Sequence, residues 1–290
     1  MRIIAHVSDL HFGATDARVV AALIAKINDL RPDVVAVSGD LTQRARRRQF
    51  REARAFLDRL PGPQIVVPGN HDIPLYNPFY RFALPLQRFS DYITEDLNPY
   101  FCDSEIALIG ANTTRSFTIK DGGLRSGDVR RITTLLGSLD DAIVRIVVCH
   151  HPFDPPAGRL GRWTMPRPDA AAMDALAARG VDVFLTGHLH IAYTGHTAAR
   201  YKAAGRAAIV IEAGTAASTR VRGETNSFNV VRVRTDQVRV ERLAWNEGTT
   251  TFDISDAVEF GRTTEGWSVT ADLLAAESRL GSNREGPTDG

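Results

Sequence analysis

Three short apolar runs, each closing on a polar cluster, recur along the first seventy residues with a nearly constant stride, and no other feature restricts the fold as much. Arg2 to Ser8 is mostly apolar and runs into Asp9-Leu10-His11. Asp33 to Ser38 runs into Gly39-Asp40, and Gln64 to Val67 into Pro68-Gly69-Asn70-His71-Asp72. Asp9 and Asp40 are 31 residues apart, and Asp40 and Asn70 are 30 apart, close to the ~30 residues of a strand-helix-strand unit. The intervening segments have helical period. Val19, Val20, Leu23, Ile24 and Ile27 share one face behind an N-cap at Thr15 or Asp16, and Pro32 stops that helix. Arg46 to Leu60 repeats the pattern and is closed by Pro61-Gly62-Pro63. Right-handed crossovers then place all three polar clusters on the carboxyl edge of one parallel sheet, where ligands bind in open α/β folds.

The rhythm breaks at Ile73 to Phe101, a stretch rich in proline and aromatic residues that reads as a helical insertion (about 74–100) at the rim of that edge. Glu105 to Asn112 and Ala142 to Cys149 read as further strands, with a helix from Ser126 to Gly137 between them; the second ends at His150-His151-Pro152. A helix over Asp169 to Arg179 and a strand over Val181 to Thr186 lead to Gly187-His188-Leu189-His190. Apolar alternation from Ile191 to Trp245 indicates antiparallel strands. From about Arg262 the chain reads as a poorly ordered tail, which divides it into a domain over 1–260 and a partly disordered extension over 261–290.

With 290 residues, 43% hydrophobic and 24% charged, the chain can bury a sizeable core. A formal net charge of +1 provides no global field to draw nucleic acid or an anionic membrane. No stretch approaches the ~20 apolar residues of a membrane span. Two distant cysteines, Cys102 and Cys149, suit neither a disulfide framework nor a thiolate zinc site. These features, with an N-terminus unlike a signal peptide, lead to the expectation of a soluble cytoplasmic protein.

Six of the eight histidines, His11, His71, His150, His151, His188 and His190, fall at the ends of expected strands. Imidazole with carboxylate is the donor set of intermediate cations such as Zn²⁺, Mn²⁺ and iron. In extended chain, His188 and His190 would share one side with Leu189 on the other, and likewise Asp9 and His11 about Leu10.

Taken in order, Asp9-Leu10-His11, Gly39-Asp40, Gly69-Asn70-His71-Asp72, His150-His151-Pro152 and Gly187-His188-Leu189-His190 resemble the five motifs of the calcineurin-like metallophosphoesterases. The resemblance extends from the first strand to about Tyr193, and within the superfamily the chain is most similar to bacterial class III cyclic-nucleotide phosphodiesterases. It implies an α/β fold, a four-layer αββα sandwich of two mixed sheets flanked by helices, with the C-terminal strands supplying much of the second sheet. It also implies two divalent metal ions, Mn²⁺, Fe²⁺/Fe³⁺ or Zn²⁺: Asp9, His11 and His190 on the first, Asn70, His150 and His188 on the second, and Asp40 bridging. A hydroxide between the cations would attack a small phosphodiester such as a 3′,5′-cyclic nucleotide, His71 would meet the charge on the departing oxygen, and Asp72 would orient the His71 ring. Relatives often pair, so a homodimer is compatible with the resemblance.

Other readings remain. Glycerophosphodiesters, nucleic-acid ends and phosphomonoesters are rival substrates, and a non-catalytic metal-binding scaffold is the remaining class. The arginine run Arg44, Arg46, Arg47, Arg48, Arg51 and Arg54 reads as a solvated helix face in preference to a nucleic-acid contact. Tyr76 to Tyr92 reads as core aromatics in preference to a base-stacking platform. His151 is expected beside the ligand His150 without ligating, and Asn112 and Arg115 are candidate substrate contacts. Asp33 and Asp182 read as caps or solvated groups, Cys149 as a core residue, and His6 and His196 as structural or surface histidines.

Overall fold

The computed structural model describes residues 1–152, 170–196, 207–220 and 223–272. Strands β1 (Arg2–Val7), β2 (Val34–Val37) and β3 (Gln64–Val66) are parallel neighbours joined by helices α1 (Ala17–Leu30) and α2 (Arg47–Leu57). Asp16 caps α1 by accepting from the Arg18 N–H at 2.8 Å, which resolves the alternative with Thr15. After β3 come the insertion helices α3 (Pro78–Ala83) and α4 (Gln87–Tyr92), strands β4 (Tyr100–Cys102) and β5 (Ile106–Ala111), helix α5 (Ser126–Gly137) and strand β6 (Val144–Cys149). Helix α6 (Ala170–Ala177) leads to β7 (Val183–Thr186), followed by β8 (Tyr193–His196) and β9 (Ile209–Glu212). The last four strands are β10 (Ser227–Val233), β11 (Gln237–Asn246), β12 (Thr251–Thr263) and β13 (Gly266–Asp272).

These strands form two mixed sheets, ordered β13-β12-β11-β10-β1-β2-β3 and β4-β5-β6-β7-β9-β8. Period-two alternation determines which core each residue enters. Ile4, Val34 and Ala36 pack inward against Leu108, Ile146, Leu185 and Ile211 of the other sheet. Ala5, Val35 and Val37 point outward against Leu23, Ile27, Phe50 and Phe56 of α1 and α2. Ile109, Val147 and Phe184 cover the opposite outer face under Ile132 and Leu176 of α5 and α6. Helices therefore lie on both outer faces and the sheets face each other, the four-layer αββα sandwich.

Two expectations are corrected. Of the strands after Ile191, β8 and β9 join the second sheet, but β10 to β13 do not; they extend the first, β10 pairing antiparallel with β1. Because β2 and β3 lie on one side of β1, its other edge would offer unpaired backbone groups, and β10 closes it. Ordered chain also continues past Arg262: β12 runs to Thr263 and β13 to Asp272, with Trp267 buried between the sheets. Residues 273–290, the rest of the expected tail, lie outside the described residues, as does the side chain of His196.

Candidate metal centre

The loops after β1, β2, β3, β6 and β7 meet at one sandwich edge. They converge because their strands are parallel neighbours within each sheet and the sheets face each other. The expected reason for side-chain convergence was wrong, however. Asp9, His11, His188 and His190 are not in extended chain: β1 ends at Val7 and β7 at Thr186, and all four residues have positive φ (52°, 51°, 76° and 58°). With Asp40 at 52°, they make five of the eight non-glycine residues of positive φ among the described residues. Each such conformation costs ~1 to 3 kcal/mol and survives only where its surroundings over-determine it. Left-handed turns tip successive side chains back into one cleft.

Both buried aspartates use one oxygen for positioning and present the other. Asp9 Oδ2 accepts from the His188 N–H at 2.9 Å. Its Oδ1 has no hydrogen-bond partner, although it lies 3.2 Å from His190 Nε2 and 3.6 Å from His11 Nε2. Asp40 Oδ1 accepts from the His71 N–H at 2.8 Å, leaving Oδ2 at 3.4 Å from His150 Nε2 and 3.8 Å from His11 Nε2. Close backbone approach makes this arrangement feasible. A Cβ on Gly187 would come within 1.9 Å of Ser8 Oγ and 2.6 Å of Asp9 Oδ2, and one on Gly69 within 2.1 Å of Asp40 Oδ1.

Two nests of donor atoms result, with Asp40 between them. In the first, His11 Nε2 and His190 Nε2 are 3.1 Å apart beside Asp9 Oδ1. In the second, Asn70 Oδ1 lies 3.1 Å from His150 Nε2 and 3.0 Å from His188 Nδ1, and these nitrogens are 3.3 Å apart. Two ligands ~2.1 Å from one cation and subtending ~90° to 130° are ~3.0 to 3.8 Å apart, which matches both nests. Remaining polar atoms hold the rings. His150 Nδ1 donates to the Ser38 carbonyl at 2.8 Å, which leaves the Nε2 lone pair facing the nest. Asn70 Nδ2 donates to the Ile119 carbonyl at 3.1 Å, which turns Oδ1 toward the histidines.

The electrostatics have the same sense. Burial pushes the Asp40 carboxyl upward, but His150, His71 and His11 outweigh it and hold it below the usual range. Asp9 is likewise held low, chiefly by His11 and His190 against its burial. Burial, reinforced by His150, lowers His188 to about 3. His150 is the exception: burial lowers it, but Asp40 and then Asp9 outweigh that and raise it to about 9. Ionised carboxylates and a neutral imidazole are ligand forms, and a cation between Asp40 and His150 would take the place of the His150 proton. The donor set therefore fits a pair of divalent cations.

His71 and Asp72 need separate treatment. His71 lines the cavity of about 220 Å³ above the nests, with Asp40, His188, His190 and Arg220. Its Nδ1 lies 2.8 Å from the Gln43 carbonyl. Asp72 does not orient that ring. Its buried carboxylate accepts from Leu41 N at 3.2 Å, Thr42 N at 2.9 Å, Gly69 N at 3.0 Å and Thr42 Oγ1 at 2.9 Å, which ties the loop after β2 to the loop after β3.

The other candidates fall away from the nests or beside them. His151 Nδ1 pairs with Thr113 Oγ1 at 2.8 Å while its buried Nε2 has no partner, and its ring centroid is 4.7 Å from that of His188. His6 is buried between the sheets on Ser38 Oγ at 2.9 Å. Asn112 Oδ1 accepts locally from Thr114, and Arg115 donates to the Leu124 carbonyl; neither lines the cavity. Asp33 accepts from the Ile3 N–H and Asp182 from the Arg145 N–H. Burial pushes the Cys149 thiol up. In the arginine run, Arg48 and Arg54 pair with Glu52 and Asp58 along α2, while Arg44 turns onto Tyr76 at the cavity rim. Gln43, Ile119, Lys120 and Arg220 were missed: the first two act through main-chain carbonyls, which leave no trace in a sequence, and the others sit outside any motif.

A model of the calcineurin-like phosphoesterase family matches residues 3–192. The glycerophosphodiester phosphodiesterase GpdQ of Enterobacter lignolyticus (strain SCF1) is 35% identical over 81 residues, which cover 24% of this chain and 29% of that relative. This chain thus spans less than a third of the curated relative it matches. Among solved structures, purple acid phosphatase PPD1 from yellow lupin (Lupinus luteus) seeds superposes with a TM-score of 0.68 at 12% identity, over 93% of this chain and 57% of that one. PhoD superposes with a TM-score of 0.69 at 11% identity, over 94% and 72% of the two chains. A dimetal phosphatase from Danio rerio gives 0.59 at 13% identity, over 84% and 96%. At such identities the likeness is one of fold.

Proposed function

The chain belongs to the calcineurin-like phosphoesterase family, and on that premise we propose that it is a binuclear hydrolase of phosphodiesters. Asp9, His11 and His190 would hold one divalent cation and Asn70, His150 and His188 the other, with the Asp40 carboxylate placed to serve both. The observation that carries this reading is the pair of nests flanking Asp40, whose Oδ1 is pinned by the His71 N–H and whose Oδ2 faces His150 and His11. Asn70 is assigned in preference to His151 because its Oδ1 lies within 3.1 Å of both other donors of its nest.

When bound, the cations supply positive charge to the phosphoryl oxygens and lower the pKa of a bound water enough to make it a nucleophile. The protein's own groups do the rest. The His188 and His71 N–H groups keep Asp9 and Asp40 from rotating away. The Gln43 carbonyl takes the Nδ1–H of His71, so a protonated His71 offers its Nε2–H to the oxygen that leaves phosphorus. No helix among the described residues is long and apolar enough to cross a membrane.

A diester, as opposed to a monoester, is supported by the partial match to a glycerophosphodiester phosphodiesterase; 3′,5′-cyclic nucleotides and glycerophosphodiesters are the natural substrates to try first. The test is metal reconstitution with Mn²⁺, Zn²⁺ or Fe²⁺, metal analysis, and release of nitrophenolate from bis(4-nitrophenyl) phosphate. Two cations per chain and turnover lost in Asp40→Ala are expected. A protein that takes up no metal pair, or an Asp40→Ala variant as active as its parent, removes the proposal.

A further inference from the structure

We infer that the departing half of the substrate carries a second anionic group, received by Arg44, Arg81 and Arg220. This rests on the diester reading above and specifies its substrate class. A second cavity of about 150 Å³ adjoins the one above the nests, and Asn70, His71, Ile119 and Arg220 line both. His71 thus belongs to the common wall with Asn70, Ile119 and Arg220, and a group attached to the oxygen it protonates has the second cavity on its far side. The volume equals on the order of five waters at ~30 Å³ each, room for a carboxylate or phosphate on a small skeleton.

The described lining of this cavity holds three arginines, the neutral polar residues Gln43, Asn70 and Tyr76, His71, and the apolar Ile73, Leu75 and Ile119, with no carboxylate among them. The larger cavity of about 660 Å³ beside α1 and α2 differs: Glu52 lies among its arginines and pairs with Arg48 at 2.8 Å. Arg44 is held in place by the Tyr76 hydroxyl, which accepts from Nη1, and by the Tyr76 ring 5.2 Å below. Arg81 is only 8% exposed and donates Nη2 to the Thr118 carbonyl at 2.6 Å. A neutral alcohol would leave three like charges in a partly apolar pocket without a counter-charge among its described lining residues. An anionic group completes charge-assisted, forked hydrogen bonds to guanidinium.

The experiment compares methyl 4-nitrophenyl phosphate with methyl 3-carboxy-4-nitrophenyl phosphate on the metal-loaded full chain, each rate normalised to alkaline hydrolysis. About tenfold higher kcat/KM for the carboxylated diester is expected at low salt, shrinking as salt screens the charges. The preference should be reduced in Arg44→Lys, which keeps the charge but not the fork, and abolished in Arg44→Gln/Arg220→Gln. In the metal-free protein, 3-carboxy-4-nitrophenolate should bind about fivefold more tightly than 4-nitrophenolate. A ratio at or below one in the parent, or one unchanged in the double variant, overturns the inference while equal hydrolysis of both diesters leaves the diesterase reading standing. If neither diester is cleaved, both fall together.

Discussion

Replacing Asp72 by alanine separates a carboxylate that steers a catalytic ring from one that braces the centre. Its two oxygens take four hydrogen bonds, three from backbone N–H groups of Leu41, Thr42 and Gly69 and one from the Thr42 hydroxyl. The Thr42 hydroxyl can still donate to the His71 carbonyl at 3.2 Å, so orphaning three buried amides at ~1.5 kcal/mol each gives a gross loss of about 4 to 5 kcal/mol. Against this, burial and then Asp40 push the Asp72 carboxyl up to about 6 from its ordinary 3.8, and at ~1.4 kcal/mol per unit alanine returns about 3 near neutral pH. The net destabilisation is about 1 to 2 kcal/mol, a fall in Tm of roughly 2 to 6 °C for a domain of this size. Because the same bonds fix the loop bearing Asp40 against the loop bearing His71, kcat should fall about a hundredfold through misplacement alone. Thermal or urea unfolding followed by steady-state turnover measures both effects. An alanine variant with unchanged Tm, whose only defect is a displaced pH-rate profile, would refute the bracing role and restore the ring-orienting one.

Adding one methyl at Gly187→Ala should weaken metal binding by about 10- to 100-fold, since it drives into Ser8 and Asp9; unaltered affinity in calorimetry contradicts the packing argument. His71→Ala should lower kcat about 10² to 10⁴-fold for an alkoxide leaving group and far less for nitrophenolate, which departs without a proton; equal losses on both would exclude the proton-donor role. His6 is buried and neutral, and its burial lowers its pKa to about 3 from the ordinary 6.5. The unfolded chain therefore binds the extra proton between those values, so stability is fully present above pH 6.5 and declines by ~1.4 kcal/mol per unit as pH falls toward 3. His6→Gln should flatten that decline, which a urea series from pH 7 to 5 would detect; identical slopes would count against it.

Much of the candidate centre was legible because its proposed ligands are side chains of unusual types at strand ends with a repeating stride. A parallel β-α-β succession must bring such ends to one edge, so Asp9, Asp40 and Asn70 could be placed together before any coordinates. His150, His188 and His190 could be put at strand ends in the same way, but only the family resemblance joined them to the first three. The αββα layering came from the family resemblance and not from periodicity, which marked β10 and β11 as antiparallel without saying which sheet they join. Only the pairing of β10 with β1 decided that. Tertiary structure alone showed also that Asp72 reaches four donors from two loops, that main-chain groups of His188, Gln43 and Ile119 set the orientation of Asp9, His71 and Asn70, and that five of the seven proposed ligands, Asp9, His11, Asp40, His188 and His190, have left-handed backbone. Residue identity and spacing are local properties that the chain carries openly. Strand partnership, backbone donors and the strain of a turn are settled by which segments pack against each other, and any residue type can supply a main-chain N–H or carbonyl.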